Sequence, residues 1–219
     1  MIDLHTHSIL SDGELVPSEL ARRAYVKGYR IVGIADHADP SNLESVVASL
    51  LRIRVEMSHY KQITILPAVE ITHAPKGLIA TLVKNARKLG ALYVVVHGET
   101  LVEPVEEGTN HEAILAGADI LAHPGLITEE DAALARDKKV LLEITARKGH
   151  CLTNGHVARI ALKAGALLVY NTDSHSPSDL TAEADARRIV MGAGLPADAF
   201  AAMQQNALDL VKRVVESRR

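Results

Sequence analysis

One cysteine, Cys151, stands in the whole chain of 219 residues. An intramolecular disulfide framework and a cysteine-based zinc finger are therefore excluded. There is no Trp and a single Phe, and aromatics make up 3% of the residues. The core is expected to be aliphatic and rich in Ala. Neither sign of charge dominates, since 24 basic against 27 acidic residues leave −3. That balance does not describe a nucleic-acid surface, although it leaves room for a local basic pocket. No apolar run approaches the ~20 residues of a membrane span. The opening Met-Ile-Asp-Leu-His has neither the charged nor the apolar region of a signal peptide, so a cytoplasmic location is the expectation. No GxGxxG follows the first apolar run and no GxxxxGKS/T occurs, so those two nucleotide-binding loops are unsupported.

What the chain does have is rhythm. Short apolar runs at 1–4, 31–35, 64–69, 92–96, 120–122, 140–144 and 167–170 alternate with longer amphipathic stretches. Several runs are rich in Val and Ile, as strands of a parallel sheet covered by helices must be. Helices are expected at 17–27, 41–60, 77–89, 110–115, 154–163, 178–191 and 197–215, with another opening after Thr128. Pro17 suits a first helical turn. Ser41 and Glu44 are spaced as a capping box, and Thr128 precedes a run of acids at the positive end of a helix dipole. Alternation of this kind predicts one α/β domain over 1–219. The expected form is a (β/α) barrel with one unit fewer than eight, a doubly wound open sheet being the competitor.

The chain also has 11 His residues, and their placement is regular. His5-Thr-His7, Asp36-His37, Glu70, His97-Gly-Glu99, His123-Pro-Gly and Asp173-Ser-His175 each fall at or just past the end of an apolar run, with Asp12 in the first loop. The C-terminal ends of parallel strands converge on one face, where sites are built. His5 and His7 lie two apart on extended backbone and share a side. Mixed imidazole and carboxylate ligands suit Zn, Mn or Fe. His5, His7, Asp12, His37, Glu70, His97, His123, Asp173 and His175 together exceed the needs of one ion. Two to three divalent ions are expected, with a carboxylate bridging at least two.

In this order, the segments resemble the PHP family, named for its polymerase-associated and histidinol-phosphatase members. The carrying motifs are Asp3-Leu-His5-Thr-His7, Ser11-Asp12-Gly13, Ala35-Asp36-His37, Val69-Glu70, Val96-His97-Gly98, Ala122-His123-Pro124-Gly125 and Asn171-Thr-Asp173-Ser-His175, with Asn206-Ala207 in the last helix. The resemblance implies a distorted (β/α)7 barrel of parallel strands and a trinuclear centre at their C-terminal ends. It implies His5, His7, Glu70 and Asp173 at one ion. Glu70, His97 and His123 fall at a second, with Glu70 bridging, and Asp12, His37 and His175 at a third. Some relatives carry His where this chain has Asp12, and a carboxylate there favours harder ions.

Such a centre fits metal-dependent phosphoester hydrolysis by hydroxide held between two ions, in which positioning and cationic charge do most of the catalysis. Glu70, Asp173 and His150 are the expected catalytic groups, His150 as a proton donor to the leaving oxygen. Arg147, Lys148 and Asn154, in the loop after the sixth run, are the expected phosphate pocket. Asp36 and Glu99 are read as groups that orient ligands, and Glu143 as a substitute ligand. His59, His73, His111 and His156 are read as ordinary helix or loop residues, His73 standing nearest the site. The expected substrate is a small phosphorylated molecule such as histidinol phosphate or a nucleotide, with no membrane partner and no obvious nucleic-acid surface. Two other classes compete. One is an RNA-binding subunit resembling the barrel protein of ribonuclease P. The other is a metal-dependent amide hydrolase.

Overall fold

A computed structural model describes residues 1–57 and 61–216; His59, Arg218 and Arg219 lie outside the described residues. The elements run β1 (Ile2–Thr6), α1 (Pro17–Val26), β2 (Ile31–Ile34), β3 (His37–Ala38), α2 (Leu43–Glu56), β4 (Thr64–Ile71), α3 (Lys76–Leu89) and β5 (Tyr93–His97). They continue with α4 (Thr109–Leu115), β6 (Ile120–Ala122), α5 (Glu129–Lys138), β7 (Leu141–Thr145), α6 (Asn154–Ala164), β8 (Leu168–Asn171), α7 (Glu183–Gly192) and α8 (Ala199–Glu216). Every strand pairing is parallel, in the order β1-β2-β4-β5-β6-β7-β8. This is a distorted (β/α)7 barrel, nearly closed and wrapped by helices. The two-residue β3 was not visible as a separate apolar run. It continues the β2 path and pairs His37 with Glu70.

Two apolar layers hold the barrel. The outer one lies between strands and helices, from Val32, Ile34, Val94 and Leu142 to Leu20, Leu50, Ile79 and Ile160. The inner one fills the barrel with Leu4, Leu66, Tyr93, Val95, Ile120 and Val169. It is completed by Ala207, Leu210 and Val214 of α8. Helix α8 thus stops the N-terminal mouth. The Gln204 carboxamide accepts from Ile2 N at 2.7 Å and donates to Ile2 O at 2.9 Å, and Asn206 donates to Leu168 O at 2.8 Å. Asn206 and Ala207 therefore serve the end of the barrel opposite the His-rich face.

The seam between β8 and β1 is closed mainly by side chains. Asn171 Oδ1 accepts from Leu4 N at 2.8 Å, and Asp3 accepts from Thr172 Oγ1 at 2.5 Å and from His5 N at 3.1 Å. Just above, Asp173 N donates to His5 O at 2.9 Å and His7 N to Ser174 O at 2.8 Å. Burial pushes the Asp3 carboxyl up to about 6 against these bonds. The seam thus fixes His5, His7 and Asp173 relative to one another.

Helix ends follow the sequence signals in part. Thr128 Oγ1 accepts from Asp131 N at 3.0 Å, as a capping residue should. Ser41 does not cap α2, because its hydroxyl and amide both go to Asp39 Oδ1. Helix α7 begins at Glu183, not 178, since Asp179 Oδ2 is taken by the amides of His175 and Ser176.

Gly33 faces Tyr93, whose hydroxyl donates to Leu4 O at 2.7 Å inside the barrel. A Cβ on Gly33 would overlap that hydroxyl. Gly33→Ala is expected to cost about 3 kcal/mol in urea unfolding, the upper range for overpacking. Pairing it with Tyr93→Phe removes the overlapping atom and is expected to recover part of the loss.

Candidate metal centre

The C-terminal strand ends form a cavity of about 260 Å³, lined by Asp12, His37, Thr72, His73, His97, Glu103, His123, Arg147, His150, Asp173 and His175. His5, His7 and Glu70 make its floor and are fully buried or nearly so. The backbone bends to deliver several of these groups. His73, His123 and Asp173 take positive φ, at 48°, 27° and 53°, a costly conformation for residues with a Cβ that recurs at functional sites. Gly125 holds the turn after His123, with φ +62° and a Cβ direction blocked by Glu99 O.

Three groupings bring ligand atoms within 4.8 Å of one another in the sets expected from the sequence, with small changes. They are His5, His7 and Asp173; Glu70, His97 and His123; and His7, Asp12, His37 and His175. Glu70 stands between them, its oxygens 3.3 Å from His5 Nε2, 3.7 Å from His123 Nε2 and 2.6 Å from His37 Nδ1.

The proton positions make these contacts informative. Nδ1 of His5 is 2.9 Å from Glu143 Oε1, that of His175 3.0 Å from Asp173 O, that of His97 3.1 Å from Gly98 O. Carboxylates and carbonyls only accept, so in each case, as in the His37–Glu70 contact, Nδ1 is the donor. The lone pair of each neutral ring is then on Nε2. Each Nε2 faces a carboxylate oxygen: His5 to Glu70 at 3.3 Å, His175 and His37 to Asp12 at 3.3 and 3.5 Å, His97 to Glu103 at 3.2 Å. His7 Nε2 also lies 3.0 Å from His5 Nε2. Two acceptors at such distances need a proton or a metal cation between or beside them. Glu70 Oε1, buried and without a hydrogen-bond donor among the described residues, points the same way. Divalent cations fit this donor set, with a carboxylate or carbonyl holding the far nitrogen of His5, His37, His97 and His175.

The protein charges alone show the strain of this packing. Burial opposes a charge on His5, but Glu143, Glu70 and Asp173 hold its pKa well above the usual His value. Burial likewise opposes a charge on His37, yet Glu70 and Asp12 lift it to about 10. Burial and the neighbouring imidazoles press His7 and His123 well below the usual value. Burial carries Asp173 to about 7, with His5 opposing and Glu70 and Glu143 adding to the rise.

No family model matches the chain. The uncharacterized protein MJ1295 of Methanocaldococcus jannaschii is 46% identical over 195 residues, covering 88% of this chain and 89% of that protein. The chain belongs to the family of MJ1295. A probable phosphatase of Thermoanaerobacter pseudethanolicus is 24% identical, over 90% of this chain and 88% of its own length. Among solved structures, histidinol phosphate phosphatase of Lactococcus lactis, complexed with zinc, L-histidinol and phosphate, has a TM-score of 0.61 at 17% identity, covering 89% of this chain and 94% of that one. A Xaa-Pro dipeptidase has a TM-score of 0.67 at 13% identity, covering 97% of this chain and 75% of that one. At those identities the structures share the barrel with the MJ1295-family chain and nothing finer.

Around the MJ1295-family cavity the other expected residues separate. Arg147 lines it and is braced by Asp179 at 3.2 Å. Lys148 is exposed and is not among the lining residues. Asn154 is spent on the backbone, accepting from Thr145 N at 3.2 Å and donating to Thr145 O at 2.8 Å. Of the three residues expected to bind phosphate, Arg147 alone lines the cavity. Glu143, expected as a substitute ligand, is engaged in hydrogen bonds. It belongs to none of the ligand groupings, and it accepts from His5, from Asn171 Nδ2 at 2.8 Å and from His123 N at 3.1 Å. Asp36 accepts from Ser8 N and Ser11 Oγ at 2.7 Å each and so holds the loop bearing Asp12. Glu99 accepts from Gly108 N at 3.0 Å and Asn110 N at 2.8 Å and fixes the loop 98–108.

His150 reaches the cavity, with Nδ1 2.8 Å from Thr100 Oγ1. Burial lowers its pKa to about 4. At neutral pH that leaves an uncharged ring, fit to accept a proton or, with His123 and Asp173, to bind a cation. His111 pairs with Asp131 at 2.7 Å on the surface, and His156 Nε2 donates to Ile127 O at 2.8 Å. Neither lines the cavity. His73 does, together with Glu103, which sequence reading missed. Glu103 lies six residues beyond His97 in a loop with Glu99, Glu106 and Glu107, so it reads as one more solvated acid.

Proposed function

We propose that this chain is a metal-dependent phosphoester hydrolase of the PHP type, acting on a small phosphorylated molecule. The reading is carried by the Nε2 atoms of His5, His37, His97 and His175, each set against a carboxylate oxygen at 3.2–3.5 Å, where a divalent ion can take the place of a proton. His5, His7, Glu70 and Asp173 would hold one divalent ion, Glu70, His97 and His123 a second, and Asp12, His37 and His175 a third. When bound, the ions supply a nucleophile from water near neutral pH and positive charge for the phosphoryl oxygens.

The protein's own groups divide the remaining work. Glu143 keeps the proton on His5 Nδ1, so that Nε2 stays free for an ion. Arg147 offers guanidinium N–H groups to a phosphate at the cavity wall, with Asp179 fixing its direction. His150, uncharged at neutral pH, adds a lone pair beside His123, the two rings stacked at 4.2 Å. A cavity of about 260 Å³ admits a phosphate and a few further atoms. The resemblance to PHP sequences, the probable phosphatase relative and the phosphatase sharing the barrel support the same class. Histidinol phosphate and nucleoside monophosphates are the substrates to try first.

The test is a panel of phosphomonoesters, phosphodiesters and dipeptides, assayed with Mn, Zn or Fe added. Metal-dependent phosphate release is expected, and turnover confined to dipeptides would overturn the proposal. Amide hydrolysis would use the same ions but has no need of Arg147. In phosphatase assays Arg147→Ala is expected to raise KM about tenfold or more, the loss of a charge-assisted pair. Lys148→Ala is expected to stay within about twofold, since it stands off the cavity.

A further inference from the structure

The loop 98–108 brings a carboxylate to the cavity that the three expected ion positions do not use. Glu103 Oε2 lies 2.9 Å from His73 Nε2 and 3.2 Å from His97 Nε2, and Oε1 lies 3.3 Å from His150 Nε2. Among the described residues its ion-pair partners are all imidazoles. With His73 and His97 it forms a grouping whose ligand atoms lie within 4.8 Å of one another. Side-chain exposure of 39% at His73 and 36% at Glu103 puts this grouping at the mouth, whereas Glu70 and His123 below are 0% and 1% exposed.

His97 is the shared member. It belongs to the outer grouping with His73 and Glu103, and to the inner one with Glu70 and His123. Its Nδ1 is committed to Gly98 O, so Nε2 alone can bind an ion. One nitrogen cannot serve both positions at once. The two positions are therefore alternatives for a single ion, one open to solvent and one closed from it.

We propose that His73, Glu103 and His97 form an outer cation position through which a divalent ion passes to and from the inner Glu70–His97–His123 group. Glu103 and His73 capture the ion at the mouth with His97. Glu70 and His123 replace them while His97 keeps its bond, so the ion is never stripped of protein ligands on the way in. This rests on the metal reading given above, but it concerns exchange of the ion and not the reaction.

Isotope exchange on the loaded, full-length protein tests it. Protein holding natural zinc is challenged with isotopically enriched Zn²⁺, and bound zinc is followed by mass spectrometry after rapid desalting. Wild type is expected to exchange one ion faster than the rest. His73→Asn with Glu103→Gln is expected to slow that phase about tenfold, the scale on which groups beside a metal site act, with total zinc unchanged. Each single variant falls between, and His111→Asn, far from the cavity, leaves the phase as it was. Unchanged exchange in the double variant overturns the proposal. So does a lasting loss of zinc, which would make Glu103 a resident ligand. If wild type binds no zinc, manganese or iron at all, the metal reading fails and takes this proposal with it. Far-UV circular dichroism of each variant separates an effect on exchange from an effect on folding.

Discussion

Glu70→Gln is expected to abolish phosphate release, lowering kcat by about three orders of magnitude or more, and to remove at least one ion per chain. The magnitude follows from what the carboxylate faces. Glu70 is fully buried, and its two oxygens stand against nitrogens of His5, His37 and His123. An amide keeps the shape and loses the charge that lets two ions share one group. It also sets an N–H₂ donor among imidazole edges. Losing several kcal/mol of stabilisation of the reacting phosphoryl group amounts to roughly a thousandfold in rate. Elemental analysis beside the assay checks it. Full metal content with wild-type kcat would show that Glu70 is a structural carboxylate and nothing more. Glu143→Gln gives the contrast. It leaves every proposed ligand in place but weakens the hold on His5 Nδ1, so a loss of roughly 10–100-fold in metal affinity is expected.

The strand ends were legible because two independent patterns coincide there. Val- and Ile-rich runs mark buried parallel strands, and all but the run at 140–144 stop at or just before a residue type that binds cations. His5, Glu70, His97 and His123 could be placed from that coincidence alone. Glu103 could not, because it comes from the interior of a loop, where nothing in the local sequence separates an acid turned inward from one turned to water. Its inward turn shows only in its contacts with His73, His97 and His150, which come from other parts of the chain. Asn154 is the opposite case. A polar residue opening a helix after Arg147 and Gly149 reads as an anion site, but the unpaired backbone of Thr145 claimed its carboxamide first. The seam was hidden for a similar reason. Asp3, Asn171 and Thr172 replace strand ladder bonds with side-chain bonds, and no periodicity records a contact between residues so far apart in sequence.

Stripping the ions with a chelator is expected to lower the melting temperature by roughly 10 °C for each ion removed. An ion at about a thousand times its dissociation constant contributes about 4 kcal/mol to the folded state, and a chain of this size shifts by about 2–4 °C per kcal/mol. The origin is local. Without cations the imidazoles and carboxylates on the barrel floor must share protons, although none of them is exposed enough to be relieved by water. The same competition sets the pH dependence. His5, His37 and His97 are held above the ordinary His value by Glu70 and the other acids around them, against the effect of burial. A metal ion must displace those protons, so loading releases protons and the apparent affinity falls as pH is lowered. The stabilisation given by added zinc should therefore shrink between pH 8 and pH 6. Melting curves with and without chelator at the two pH values read this directly. Curves that coincide at both would mean that the barrel floor is satisfied by protons alone, and the lone pairs turned on Asp12, Glu70 and Glu103 would then need another explanation.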